Sequence, residues 1–184
     1  MYANVRGLKG KKESLIEILN EHQPHLFLIT ETLLSSNTGI SIEGYTFFSN
    51  ARNSGKGGGV GILVRNDIKT NVAPHFTNRD IEILWASIRR KNLPPVLIAT
   101  YYGKQESRTN KEEIESEMRL LAEEITEMKK EGEVIIAMDG NGKIGILGEQ
   151  VSRNGSLLLE VFNETDLTII NKSPKCQGAI TRKM

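Results

Sequence analysis

Six apolar runs of strand length place the strongest constraint on what this chain can fold into. Several of them are too apolar to have a water-facing side, which is typical of buried strands. Such strands need other layers of structure to cover them. The predicted strands are 26–30, 60–64, 81–88, 96–102, 134–138 and 167–170.

Segments with helical periodicity alternate with these strands. One is predicted at about 12–22 and a short one at about 156–163. Another opens at Asn110, a favourable N-cap with Glu113 three residues later, and stops at Gly132. Interleaved strands and covering helices predict an α/β fold, and the absence of a linker or repeat predicts a single domain over residues 1–184.

Composition and charge narrow the class of protein. With 184 residues, 38% hydrophobic and 26% charged, the chain resembles an ordinary soluble globular domain. It shows neither a signal peptide nor an apolar run near the ~20 residues that span a bilayer. The single cysteine, Cys176, fits a reducing compartment, and a net charge of +1 neither indicates nor excludes nucleic acid. We expect an intracellular protein, nuclear or cytoplasmic, that is not secreted and has no membrane partner.

Polar residues stand where the apolar strands end, and α/β folds tend to assemble their sites there. A hard cation such as Mg²⁺ takes one or two carboxylates from a protein, and Glu31 and Asp139 could supply them. Asparagine amides can orient a carboxylate or donate to a phosphate, and a tyrosine hydroxyl can donate to charge developing on oxygen. The candidates are Asn4, Glu31, Tyr101, Tyr102, Asp139 and Asn141.

Each feature also has an ordinary structural interpretation. Asp-Gly-Asn-Gly at 139–142 is turn chemistry, Glu31 can cap a helix or loop, and paired tyrosines usually lie on opposite faces of a strand. The segment "GKGGGVGILV" lacks the spacing of a phosphate-binding Walker loop and precedes a strand, so it is interpreted as a flexible loop that feeds that strand.

The order of the motifs carries more information than any one of them. In sequence they are "NVRGLKGKKESLIEIL", "PHLFLITET", "GGGVGILV", "LIATYYGKQESR", "VIIAMDGN" and "QGAITRK". This order closely resembles the endonuclease/exonuclease/phosphatase superfamily, and above all the endonuclease domain of LINE-type retrotransposons, which is related to exonuclease III and the abasic-site endonucleases. The resemblance implies a two-sheet α/β sandwich with helices outside.

The resemblance also implies roles for individual residues. Glu31 is expected to be a direct metal ligand, with Asn4 in the same metal site. Asp139 is expected to orient or deprotonate the attacking water, and Asn141 to contact the phosphate. Tyr102 is favoured over Tyr101 as the functional tyrosine, which leaves both as candidates.

Tyr102 is favoured because "YGKQ" resembles the family's Tyr-x-Pro-Asn stretch, from which Lys104 and Gln105 depart.

Three further positions are assigned to substrate binding by the same resemblance. Thr181 resembles the threonine that contacts the DNA phosphate. The substrate-binding residues implied are Arg6, Gln105 and Thr181.

The implied function is metal-dependent hydrolysis of a DNA phosphodiester, nicking the strand to leave a 3′ hydroxyl. Mg²⁺ is the expected cofactor, with Mn²⁺ able to replace it, and the expected partners are DNA and a downstream reverse transcriptase domain. The family continues to a terminal Ser-Asp-His signature, which does not occur before Met184. We therefore expect a domain that is incomplete at its C-terminus and inactive as it stands. The alternatives are a catalytically dead remnant that at most binds nucleic acid, and a phosphatase or lipid phosphodiesterase of the same superfamily.

Overall fold

A computed structural model describes residues 1–35, 40–52, 57–77, 79–146 and 148–173. The described chain forms two compact units. The first consists of Met1–Gly103 and Glu127–Asp139, and the second of Lys104–Thr126 together with the described residues that follow Asp139. Within the described residues, no helix is long and apolar enough to span a bilayer.

Two four-stranded mixed sheets form the framework of the first unit. The first sheet has the order β1-β2-β4-β3, and the second has the order β5-β6-β7-β8. Strands β1 and β2 are parallel, as are β7 and β8, whereas the other neighbours are antiparallel. The strands are β1 (Tyr2–Asn4), β2 (Leu26–Thr30), β3 (Tyr45–Asn50), β4 (Val60–Arg65), β5 (Val72–His75), β6 (Ile83–Arg90), β7 (Leu93–Tyr102) and β8 (Glu133–Asp139).

The sequence "LFLIT" has no wet face because β2 is covered on both sides. Leu26 and Leu28 belong to the core between the two sheets, whereas Phe27 and Ile29 belong to a second cluster that includes Leu15 and Leu19 of the helix α1 (Lys12–His22). Successive strand residues face opposite sides, so each layer receives alternate side chains. The first unit is therefore a sandwich of two sheets with α1 on the outer face of the first.

Two further helices follow the motifs that the sequence predicts. Helix α2 (Lys111–Glu131) begins after Asn110, whose side chain accepts the Glu113 amide proton at 2.8 Å and donates to the Glu113 carboxylate at 2.8 Å. Helix α3 (Arg153–Glu164) begins after Ser152, whose hydroxyl accepts the Gly155 amide proton at 3.2 Å. These side chains satisfy amides that a helix start leaves without partners.

The predicted fold class is confirmed, as are the helices near 12–22 and 111–131, whereas other elements differ. The helix predicted at about 156–163 begins at Arg153, because Ser152 caps it. The strand predicted at 167–170 is wrong. Asp166 has a left-handed φ of 49° and the Leu167 amide donates to the Phe162 carbonyl, which closes the C-terminus of α3; residues 167–169 are irregular, and a 3₁₀ turn follows at Ile170–Lys172.

Strands β3 and β5 were not predicted, and both lie at sheet edges. Every residue of β3 is only partly buried, so its apolar signal is weak. Strand β5 contains Pro74, which has no amide proton for a sheet ladder and is tolerated at an edge. These two strands therefore escaped an interpretation based on apolar runs, whereas β8, which also lies at an edge and is only partly buried, was predicted from its run "VIIAM".

Gly61 in the central strand β4 lies beneath the ring of Phe47 and offers a test of this packing. A Cβ at Gly61 would lie 2.5 Å from Phe47 Cε2 and 3.3 Å from the Phe48 carbonyl oxygen. We expect Gly61→Ala to lower the free energy of unfolding by about 1–3 kcal/mol, because the core must shift to admit the methyl group. Urea unfolding measures the loss.

Gly10→Ala is the matched control, since a Cβ at Gly10 would meet nothing within 4 Å. Its free energy of unfolding should stay within about 0.5 kcal/mol of the parent value. Equal stabilities of the two variants would contradict the packing described for β4.

Candidate functional site

The carboxyl ends of the two parallel strand pairs carry the polar residues of the candidate site. Asn4 ends β1 opposite Thr30, the last residue of β2, and Glu31 follows directly. Tyr102 ends β7 opposite Asp139, the last residue of β8. Each register places its polar residues at one end of its own sheet, and the two sheets pack face to face.

The Asn4 side chain links carboxylates from the two sheets. Its amide nitrogen donates to Glu31 Oε1 at 2.8 Å and to Asp139 Oδ2 at 2.6 Å. Its amide oxygen accepts the Arg6 backbone proton at 3.2 Å. A primary amide has two N–H donors, so one asparagine can hold two carboxylates. The structure thus brings together three of the predicted site residues.

Glu31 lies in a strained turn that neighbouring backbone groups hold in place. Glu31 and Leu33 have left-handed φ angles of 54° and 51°. This conformation costs a non-glycine residue roughly 1–2 kcal/mol. The Glu31 carbonyl accepts from the Gly7 amide at 2.8 Å, and the Thr32 amide donates to the Gly59 carbonyl at 3.1 Å. Strain of this kind persists only where the surroundings enforce it, and it is concentrated at functional sites.

Both candidate tyrosines are buried. Tyr101 is fully buried, and Tyr102 contributes to the core between the two sheets. The guanidinium carbon of Arg52 lies 5.8 Å from the centre of the Tyr102 ring. The assignment of Tyr102 as the functional tyrosine stays a prediction.

Tyr2 is a site neighbour that the sequence analysis missed. Its hydroxyl and that of Thr30 are hydrogen-bonded at 3.0 Å. Burial raises the pKa of Tyr2 well above its usual range, and the charges of Asp139 and Glu31 raise it further, so the hydroxyl keeps its proton. The twofold periodicity of a strand, which puts Tyr2 on the same face as Asn4, is the signal that could have identified it.

Three of the four remaining predicted residues are among those that the structure describes. Arg6 is exposed, with a left-handed φ of 47°. Gln105 and Asn141 belong to the second unit, where the Asn141 carbonyl accepts from the Asn154 side chain at 3.4 Å. Thr181 lies outside the described residues.

The donor set fits a hard divalent cation. Among the described residues no group of three or more His, Cys, Asp and Glu side chains is arranged to hold a metal. Glu31 and Asp139 are partly exposed, and two carboxylates match what Mg²⁺ takes from a protein while it keeps water and phosphate ligands. The amide nitrogen of Asn4 faces both carboxylates, and this orientation suits positioning the carboxylates better than binding the metal.

Fold and site together define an α/β sandwich with a two-carboxylate site at its strand ends. The model of the Endonuclease/Exonuclease/phosphatase family matches residues 1–133, and the chain belongs to this family. The family and its structural neighbours are hydrolytic nucleases and phosphatases.

A curated relative and several solved structures are similar to this chain. The chain is 28% identical over 102 residues to the RNA-directed DNA polymerase from mobile element jockey of Drosophila funebris. The aligned region covers 55% of this chain and 11% of the relative. The chain thus spans about a tenth of the length of that relative.

The solved structures support the fold. The 3′-5′ exonuclease NExo of Neisseria meningitidis has a TM-score of 0.68 at 15% identity, over 89% of this chain and 70% of its own. The AP endonuclease LMAP of Leishmania major has a TM-score of 0.71 at 11% identity, over 89% of this chain and 65% of its own. D. rerio TDP2, solved with a single strand DNA product, has a TM-score of 0.54 at 16% identity, over 92% of this chain and 65% of its own.

Asn4→Asp tests the link between the two carboxylates. The substitution replaces a shared donor with a third negative charge, so we expect the free energy of unfolding at low ionic strength to fall by about 1–3 kcal/mol. MgCl₂ should raise the free energy of unfolding more in the variant than in the parent. Urea unfolding with and without MgCl₂ measures both effects.

Asn20→Asp, on an exposed position of α1, adds the same charge away from the strand ends and serves as the control. If Asn4→Asp is as stable as this control and gains no more stability from Mg²⁺ than the control does, the amide does not hold the carboxylates as described.

Proposed function

We propose that this protein is a divalent-metal-dependent DNA endonuclease that hydrolyses a phosphodiester and leaves a 3′ hydroxyl. The observation that carries the proposal is the amide of Asn4, which donates to carboxylates from both sheets. Membership of a nuclease and phosphatase family gives it context, as do the DNA-bound structures of NExo and TDP2.

Each residue at the strand ends has a role in this proposal. Glu31 binds the metal through its carboxylate, and the left-handed turn fixes where that carboxylate lies. Asp139 orients the attacking water or accepts its proton, while Asn4 keeps the two carboxylates close together without adding charge. When bound, Mg²⁺ or Mn²⁺ would stabilise charge on the phosphate and the leaving oxygen.

The roles of the other residues rest on the resemblance alone. Tyr102 is proposed to donate to charge that develops on oxygen, and Asn141 to contact the phosphate. Substrate binding is proposed for Arg6, Gln105 and Thr181.

We further propose that the protein derives from a retrotransposon-like element in which a reverse transcriptase domain accompanies the nuclease. The similarity to the jockey polymerase supports this origin, as does the order of the motifs. A retrotransposon origin also favours a nuclear or cytoplasmic location, where the chain would meet DNA. We propose as well that the two units belong to a single functional domain.

Phosphomonoester hydrolysis is the second candidate, because NExo has been solved as a 3′ phosphatase bound to a product DNA hairpin. A substrate panel separates the candidates: supercoiled plasmid, a DNA hairpin with a 3′ phosphate, and a phosphoinositide. Nicking of the plasmid that EDTA abolishes supports the endonuclease. Release of phosphate from the hairpin without nicking would replace it with the phosphatase.

Glu31→Gln tests the proposed metal ligand. The variant keeps an oxygen that can accept from Asn4 but loses the charge, so we expect the Kd for Mg²⁺ to rise at least about tenfold. Calorimetric titration measures the Kd, and Glu13→Gln on the exposed side of α1 is the matched control. Equal affinities in these two variants would exclude Glu31 as a ligand.

Asp139→Asn tests the proposed base. Nicking should fall by about 10²–10⁴-fold, the usual contribution of a positioned acid or base. Nicking of supercoiled plasmid by the parent and the variant at the same Mg²⁺ concentration measures the loss. Undiminished nicking by Asp139→Asn would overturn the role of Asp139.

A further inference from the structure

Glu82, directly before β6, lies between a cation and a backbone amide. Its Oε1 accepts hydrogen bonds from the guanidinium of Arg52, and its Oε2 accepts the Gly59 amide proton at 2.5 Å. The Glu82 side chain is only 17% exposed and that of Arg52 28%. A carboxylate this shielded from water makes stronger contacts than one on an open surface.

The glycine-rich loop, of which the structure describes residues 57–59, lies directly against the ion pair of Arg52 and Glu82. Gly58 and Gly59 have left-handed φ angles of 73° and 82°, and a Cβ on Gly58 would overlap both Glu82 and Arg52. Only glycine adopts these angles at low cost and leaves room for the pair. Glu82 therefore holds the loop in two ways: it packs against Gly58, and it accepts the amide proton of Gly59.

The same loop holds the strained turn of Glu31. The carbonyls of Gly58 and Gly59 accept the amide protons of Leu33 and Thr32 at 3.0 and 3.1 Å. Two hydrogen-bonding steps thus join the Glu82 carboxylate to the residues that directly follow Glu31. Because Glu31 is held in a conformation it does not favour, its position depends on these contacts.

Glu82 also contacts the end of β7. Its backbone carbonyl accepts the Tyr102 amide proton at 2.9 Å, and its partner Arg52 lies over the Tyr102 ring at 5.8 Å. That distance is within the range of a cation–π contact. Glu82, which lies outside the predicted site, therefore contacts Tyr102 directly and the turn of Glu31 through the glycine-rich loop.

We propose that Glu82 is a positioning residue, which sets the glycine-rich loop and through it the turn that carries Glu31. The inference rests on the proposed metal site. It differs from an ordinary structural ion pair such as Arg90–Glu133, whose Glu133 side chain is 70% exposed. An exposed pair of that kind contributes little beyond its own two side chains.

Glu82→Gln in the full chain tests this proposal with two measurements. Loss of the charge should accelerate hydrogen exchange of the Thr32 and Leu33 amides about tenfold or more, because hydrogen bonds to charged groups are the strong ones. The Kd for Mn²⁺, measured by electron paramagnetic resonance, should rise about 10–100-fold, the usual effect of losing support for a metal ligand. Glu133→Gln is the matched control and should change neither quantity.

The outcomes separate this proposal from the proposed function. Parental exchange rates in Glu82→Gln would overturn the positioning role, as would faster exchange with an unchanged Kd. Faster exchange in a protein whose parent form binds no Mn²⁺ would uphold the support of the turn and refute the metal site. If Glu82→Gln does not fold, Arg52→Gln replaces it; both quantities should move in the same direction by a smaller factor, and parental values would again overturn the proposal.

Discussion

One primary amide, at Asn4, connects two carboxylates that belong to different sheets. Glu31 and Asp139 would repel one another at this spacing if nothing donated to both of them. An aspartate here would add to the repulsion, and an aliphatic residue would leave both acids without this donor. The placement of the two sheets relative to each other is therefore coupled to the chemistry at their ends.

The rest of the site follows from what this contact requires of the backbone. Glu31 faces Asn4 from a left-handed turn, and that turn is held on one side by the Gly7 amide and on the other by the glycine-rich loop. The glycines are thus needed for the close approach of the loop to Thr32, Arg52 and Glu82. Conformational strain at the acid is offset by hydrogen bonds from segments that are distant in sequence.

Sequence reasoning named three residues that the structure brings together and did not name Glu82, for a physical reason. Asn4, Glu31 and Asp139 were predictable because buried apolar strands end in polar residues, and parallel neighbours end at the same edge. Glu82 lies inside the strand predicted at 81–88, where nothing in the sequence distinguishes it from a solvated strand residue, and only the packing of the loop against β6 reveals its partners. The same limit explains the strands β3 and β5, which were not predicted, and the wrong strand at 167–170, where an apolar run follows the C-terminus of α3.

The contact between Asn4 and Asp139 spans 135 positions of the chain. Contacts of such long range are formed only after a large loss of chain entropy, so they tend to arise late in folding. The β1–β2 pair and its turn can form from the first third of the sequence, whereas the second carboxylate arrives only with β8. A ribosome that synthesises this chain would therefore release most of both sheets before Asp139 is available, and the acidic pair can assemble only once β8 has emerged.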